Sequence, residues 1–111
     1  MEQYEVQTTR QAEAQLAEIV HYLSHELLEP GIASALLTAL EKAMASLSTF
    51  PQRAMLVAEE PWSQQGVRKL LCKNFLIYFS VDAVHHQVTI LAVVYARRDQ
   101  LNQLGNLKLD N

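Results

Sequence analysis

Cysteine is nearly missing from this chain of 111 residues: Cys72 stands alone, so no disulfide can close within it. The opening Met1-Glu2-Gln3 carries no basic start, apolar run or small-residue cleavage site, and the expected compartment is therefore the cytoplasm. Long apolar runs are also absent. The run Ile90-Leu91-Ala92-Val93-Val94-Tyr95-Ala96 falls far short of the roughly 20 residues that cross a bilayer, so no membrane association is expected. Glycine and proline number three each, and there is no repeat or low-complexity tract. What is present is an ordinary globular balance, 50% apolar and 19% charged, which argues against disorder. The length suits one domain with a modest core. The expected unit is 1–111, ordered over about 3–104 with residues 105–111 frayed.

The net charge of −3 by itself argues against a nucleic-acid partner, but its sign changes along the chain. Residues 1–50 hold seven acids against Arg10 and Lys42, a balance of −5. Residues 51–98 hold Arg53, Arg68, Lys69, Lys73, Arg97 and Arg98 against Glu59, Glu60 and Asp82, a balance of +3, and the last thirteen add −1. A local basic surface attracts an anion within a Debye length of about 8–10 Å whatever the total. Solvated charges at strand ends are the competing reading.

Tyr4 and Val6 alternate with polar neighbours over residues 3–8, which predicts a short strand. Thr8 or Thr9 then caps a helix, Thr8 having Gln11 at the capping-box spacing. Ala12, Leu16, Ile19, Val20, Leu23 and Leu27 recur down one face of it. Glu29-Pro30-Gly31 interrupts, and Pro30 suits the first position of a second helix. Ile32, Leu36, Leu37, Leu40, Met44 and Leu47 form that helix's stripe. Pro51 ends it and is expected to push Phe50 into an extended conformation.

Residues 52–66 contain Pro61 and Gly66 and read as a long loop, with a brief extended segment over 54–58. The spans 67–73, 75–81 and 88–95 are rich in aliphatic, aromatic and β-branched residues and predict an antiparallel meander. Asn74 marks the first turn and residues 82–87 the second. A helical turn is expected over 97–104. The order β-α-α-β-β-β predicts an α+β domain, a helical hairpin packed on an antiparallel sheet, with the first strand pairing with the meander.

Five segments carry a resemblance. They are Thr9-x-x-Ala12-x-x-x-Leu16-x-x-Ile19-x-x-Tyr22, Leu47-x-x-Phe50-Pro51-x-Arg53, Gly66-Val67-Arg68-Lys69-Leu70, Asn74-Phe75-Leu76-Ile77-Tyr78-Phe79-x-Val81-Asp82 and Val94-Tyr95-x-Arg97-Arg98-Asp99. In this order and spacing, over about residues 4–104, they resemble the RelE/ParE toxin superfamily. The resemblance implies a microbial-RNase-like fold and the toxin of a type II toxin–antitoxin system, the kind linked to plasmid stabilisation. It also implies silencing by a cognate antitoxin that wraps an amphipathic segment against the helical hairpin and sheet. RelE-like members cut mRNA on the ribosome, whereas ParE-like members act on DNA gyrase. Fold alone does not choose between them.

Ribonuclease chemistry needs a proton acceptor, a proton donor and cations around the scissile phosphate. Carried over from RelE-like enzymes, Lys69 matches a first-strand lysine and Arg97 the arginine after the last strand, which makes these two the catalytic candidates. The second-strand arginine is missing, its place falling at about Leu76, and no tyrosine follows Arg97. The ending Tyr95-x-Arg97-Arg98-Asp99 is more like ParE. Gyrase inhibition is therefore the first expectation, with Arg68, Lys69, Tyr95, Arg97 and Arg98 as target-binding candidates. An mRNA endonuclease is the second, and a non-toxic antitoxin-binding relic the third. The competing readings are a strand-end pair bonded to Asp99 for Arg97 and Arg98, and a solvated outward position for Lys69.

No cofactor is expected. His21 and His25 sit four apart with Glu18 one turn earlier, a spacing that can place metal ligands on one side of a helix. Nothing supplies an obvious fourth group, so they read as surface polar residues and no metal ligand is assigned. His85-His86 falls in a turn. Cys72 reads as a half-buried small residue, and Trp62 as an anchor packing the long loop onto the core.

Overall fold

Thr9 begins the first helix because its side chain can accept a bond from a backbone N–H that has no partner in the first turn. In the computed structural model, which describes residues 2–96, Thr9 Oγ1 accepts from the Ala12 N–H at 3.2 Å. The helix α1 (Arg10–His21) follows, then one wider turn over Tyr22–Glu26 in which the Leu27 N–H donates to Tyr22 O, five residues back, at 3.1 Å. The predicted single helix through Leu27 thus ends in a π turn, closed by Leu28 in the left-handed region at φ 54°. Pro30 opens α2 (Pro30–Ala45), as its missing N–H favours. A short 3-10 turn, Ser46–Ser48, extends it.

The junction Leu47-x-x-Phe50-Pro51-x-Arg53 has a mechanical reason. Arg53 folds back so that one guanidinium nitrogen donates to the carbonyls of Ser46, Thr49 and Phe50 at 3.3, 2.9 and 3.2 Å, and the other to Ser46 Oγ at 2.8 Å. A cation there satisfies carbonyls left open where a helix ends. Phe50 is not extended. Its φ of 46° and ψ of 60° lie in the left-handed region, which also avoids the right-handed conformation that Pro51 disfavours.

Within residues 52–66 the expected brief extended segment is present and joins the sheet. A 3-10 turn (Pro51–Arg53) leads to a two-residue strand β2 (Met55–Leu56), and a run of turns returns the chain to β3 (Val67–Cys72). Strands β4 (Phe75–Asp82) and β5 (Gln87–Tyr95) complete the meander. Lys73 and Asn74 both take positive φ, 51° and 70°, the geometry of a tight two-residue hairpin whose twist suits the strands. With β1 (Glu5–Thr8) the sheet order is β1-β5-β4-β3-β2. It is antiparallel throughout except at β1, which runs parallel to β5 with Val6 opposite Val88. The expected pairing of the first strand with the meander is present, but the sheet is mixed.

Two apolar layers result. On the helix side Leu40, Met44, Leu47, Ile77, Phe79, Ile90 and Val93 are buried together with Ala12. On the other side Val57, Val67, Leu76, Tyr78, Leu91, Ala92 and Val94 are buried under Trp62. In β5, Ala92 faces Tyr78 and Ile90 faces Phe79, so Leu91 is an extra residue, a bulge. Polar groups of α1 occupy this edge where β1 has ended. Thr9 Oγ1 and Gln11 Nε2 donate to Leu91 O at 3.2 and 2.8 Å, and the Val93 N–H donates to Gln15 Oε1 at 2.8 Å. The expectations for residues 97–104 and for fraying beyond Gly105 lie outside the described residues.

Candidate functional site

Successive strand residues point to opposite faces, and that alternation separates residues adjacent in sequence. Arg68 shares the face of Leu70, toward the helices. One of its guanidinium nitrogens donates to Gln52 O at 3.1 Å and Ala54 O at 2.7 Å, so it clasps the segment leading into β2. Lys69 shares the face of Val67, away from the helices, in register between Met55 and Tyr78. Tyr95 lies opposite Phe75, the ring centres 5.5 Å apart, on the helix side. The fold therefore does not gather the three candidates among the described residues. Lys69 stands on one face, while Arg68 and Tyr95 occupy separate places on the other. Arg97 and Arg98 are outside the described residues.

The face around Lys69, turned away from the helices, is apolar. The row beside it is Leu71, Leu76 and Val94, with Leu71 64% exposed and Leu76 and Val94 buried. Leu76 is the position where a phosphate clamp would need a cation. Among the described strand residues of this face, Lys69 is the one positive charge.

Tyr78 is buried there, its hydroxyl lacking a hydrogen-bond partner among the described residues, and so does the buried Glu59 Oε1. Burial, then the nearby Glu59 charge, holds the Tyr78 phenol above its ordinary range. A neutral, covered phenol cannot accept a proton from an attacking hydroxyl. The shift also has a stability consequence. Since the folded-state pKa is raised, stability is complete below the unfolded value near 10 and falls as pH rises through the folded one. Tyr78→Phe is expected to flatten that alkaline loss and to leave neutral-pH stability unchanged or slightly higher, because the hydroxyl it removes is unpaired. Urea melts at pH 8 and pH 11 test this; a variant that loses stability at pH 8 by more than about 1 kcal/mol would show a paired hydroxyl.

A second surface lies between the helices and the end of the sheet. A groove of about 1240 Å³ is lined by Ile19 and Tyr22 from the first helical segment, Ile32 and Leu36 from α2, and Val93 and Tyr95 from β5. Tyr22 and Ile32 remain 54% and 57% exposed. Charge divides along the rim, with Glu18 on α1, Lys42 on α2 and Lys73 in the β3–β4 turn. Of its lining, Tyr95 was singled out in the sequence as a target-binding candidate, but the groove as a whole was not. Its signal was the breadth of the apolar stripes: Tyr22 and Ile32 continue the periodicity past the point where the core needs them.

The remaining singled-out residues have local roles. Asp82 accepts from the Val84 and His85 N–H groups at 3.1 and 3.0 Å and pairs with His85 Nδ1 at 2.8 Å. The His85 backbone bond, above all, holds that carboxyl below its usual range. Trp62 packs on the outer layer as expected, and Cys72 is half-buried with Sγ 3.7 Å from Ala39 O. Among the described residues, no helix is long and apolar enough to cross a membrane.

Residues 6–100 match the family described as ParE toxin of type II toxin-antitoxin system, parDE. Among solved structures the chain resembles the chromosomal ParDE toxin–antitoxin system of P. aeruginosa, with 23% identity and a TM-score of 0.68 over 86% of this chain and 98% of that one. It also resembles the toxin–antitoxin complex RelBE2 of Mycobacterium tuberculosis, with 24% identity and a TM-score of 0.61 over 86% and 93%. The E. coli toxin RelE, as a mutant in the free state, superposes with a TM-score of 0.62 at 11% identity over 91% and 92%. No curated protein matches the sequence.

Proposed function

The chain belongs to the ParE toxin family of type II toxin–antitoxin systems, and from that premise we propose that it arrests growth by binding DNA gyrase rather than by cutting RNA. The observation that carries this reading is the makeup of the sheet face turned away from the helices. A ribonuclease would need several cations converging on one phosphate, and the described strands offer Lys69 amid Leu71, Leu76 and Val94. With Leu76 and Val94 buried, what this face presents is the exposed Leu71 beside one cation, which suits a protein surface better than a phosphate backbone. The candidate target-binding residues are Lys69 with Arg97 and Arg98, the pair that follows β5. Arg68 and Tyr95 then act indirectly, through the segment and the groove they shape.

Silencing is assigned to the groove. An amphipathic antitoxin segment would set aliphatic side chains between Tyr22, Ile32 and Leu36 and acidic ones toward Lys42 and Lys73. Two solved relatives are toxin–antitoxin complexes, which supports a partner of this kind.

The position of Lys69 on the face away from the helices, with Arg97 as its expected companion, favours the RelE-like alternative. Purified toxin tested in two assays separates the readings. Inhibition of gyrase supercoiling without cleavage of ribosome-bound mRNA is the expected result. The reverse pattern would replace gyrase with the ribosome and make Lys69 and Arg97 catalytic, and inactivity in both assays and in cells would leave an antitoxin-binding relic.

A further inference from the structure

Spacing alone gives His21 and His25 no metal, but the geometry at the end of α1 brings them together. His21 closes α1 and His25 lies in the π turn that follows. A π turn takes more residues per revolution than the 3.6 of an α-helix, so a step of four brings two side chains almost directly over one another. The two imidazole rings are stacked, centres 4.6 Å apart and inclined by 32°. Both residues are exposed, and among the described residues neither ring has a hydrogen-bond partner. They rim a small hollow of about 370 Å³ floored by Leu16, Val20 and Leu37. Glu18, which the spacing had placed with them, lines the groove on the opposite flank.

We propose that His21 and His25 chelate one divalent transition-metal ion of the zinc, nickel or copper class. Imidazole nitrogen is a favoured donor for these ions. Two nitrogens bound to one tetrahedral zinc stand about 3.3 Å apart, within a side-chain rotation of rings whose centres are 4.6 Å apart. Among the described residues no third histidine, cysteine, aspartate or glutamate joins the cluster. Two coordination positions are therefore filled by the chain and the others by water, which makes an exchangeable site and not a structural one. The ion ties α1 to the π turn whose other flank sends Tyr22 and Leu23 into the groove. The inference does not depend on which target the toxin attacks.

The test uses the full-length chain without a histidine tag. Titration with zinc or nickel chloride, followed by calorimetry and by the imidazole proton signals, is expected to show one ion per chain and simultaneous shifts of both His21 and His25. His21→Asn and His25→Asn are each expected to weaken binding by more than about tenfold, the lower end of what even outer partners of a metal site contribute. His85→Asn, in the distant β4–β5 turn, is expected to bind as the native chain does. The imidazole signals of the native protein require no variant, so a folding defect cannot obscure the answer. Shifts confined to other histidines, or single variants that bind within threefold of native, overturn the proposal.

Discussion

Ile32→Asp is expected to weaken antitoxin binding by about 30- to 1000-fold while leaving the fold intact. Ile32 is 57% exposed in the free chain, so the substitution removes little from the core. In the complex the same position would be covered, and an unpaired carboxylate in an apolar setting is strongly disfavoured. Truncations at the centre of an interface commonly cost about 2–4 kcal/mol, which is that range in affinity. Rescue by Lys42 is out of reach, because it lies ten residues further along α2, about 15 Å at the helical rise. Calorimetry with the purified antitoxin measures the effect, and a thermal melt of the free variant checks the fold. Cells co-expressing the pair should stop growing when they carry this variant. Affinity within threefold of native would remove the groove from the antitoxin interface.

The second large effect is on stability. Phe79 is completely buried in the helix-side layer, among Ile77, Ile90 and Leu40. Phe79→Ala should cost about 3–5 kcal/mol through lost burial and the void left behind. A domain of this size is stable by only about 5–15 kcal/mol, and each kcal/mol moves the melting temperature of such a domain by about 4–8 °C. A fall of more than about 10 °C is therefore expected, with toxicity lost through unfolding. Antitoxin should partly restore the variant, since a ligand that binds only the folded state stabilises it. Ile32→Asp and Phe79→Ala thus fail in opposite senses, one toxic without restraint and the other not toxic at all. A Phe79→Ala protein that melts within a few degrees of native would show that the helix-side layer repacks around the loss.

Some of this architecture was legible in the amino acids because it depends on near neighbours. Thr9 caps because its hydroxyl is three residues from the Ala12 N–H, and Pro30 opens α2 because proline has no N–H to give, whereas α2 ends at Ala45, ahead of the stop expected at Pro51. The meander follows from β-branched and aromatic runs broken at Asn74 and at Asp82. The family resemblance rests on the same features, and the Arg53 clasp and the Lys73-Asn74 hairpin give two of its segments a physical reason.

The candidate site was harder to read, since function there depends on which face a side chain takes and on what lies across from it. Arg68 and Lys69 look equivalent as a basic pair, yet the alternation of the strand sends one to the carbonyls of Gln52 and Ala54 and the other to the face away from the helices. Tyr95 reads as part of a basic ending, whereas its register opposite Phe75 turns it into the groove. Phe50 was expected to be extended, a conformation that the carbonyl gathering at Arg53 replaces. The chemistry available to this protein, a single cysteine, a basic second half and a missing strand arginine, was determined by sequence alone. Which of those groups meet was decided only by the tertiary structure, because pleat, register and the parallel docking of β1 beside β5 join residues about eighty positions apart, a distance over which no local periodicity carries information.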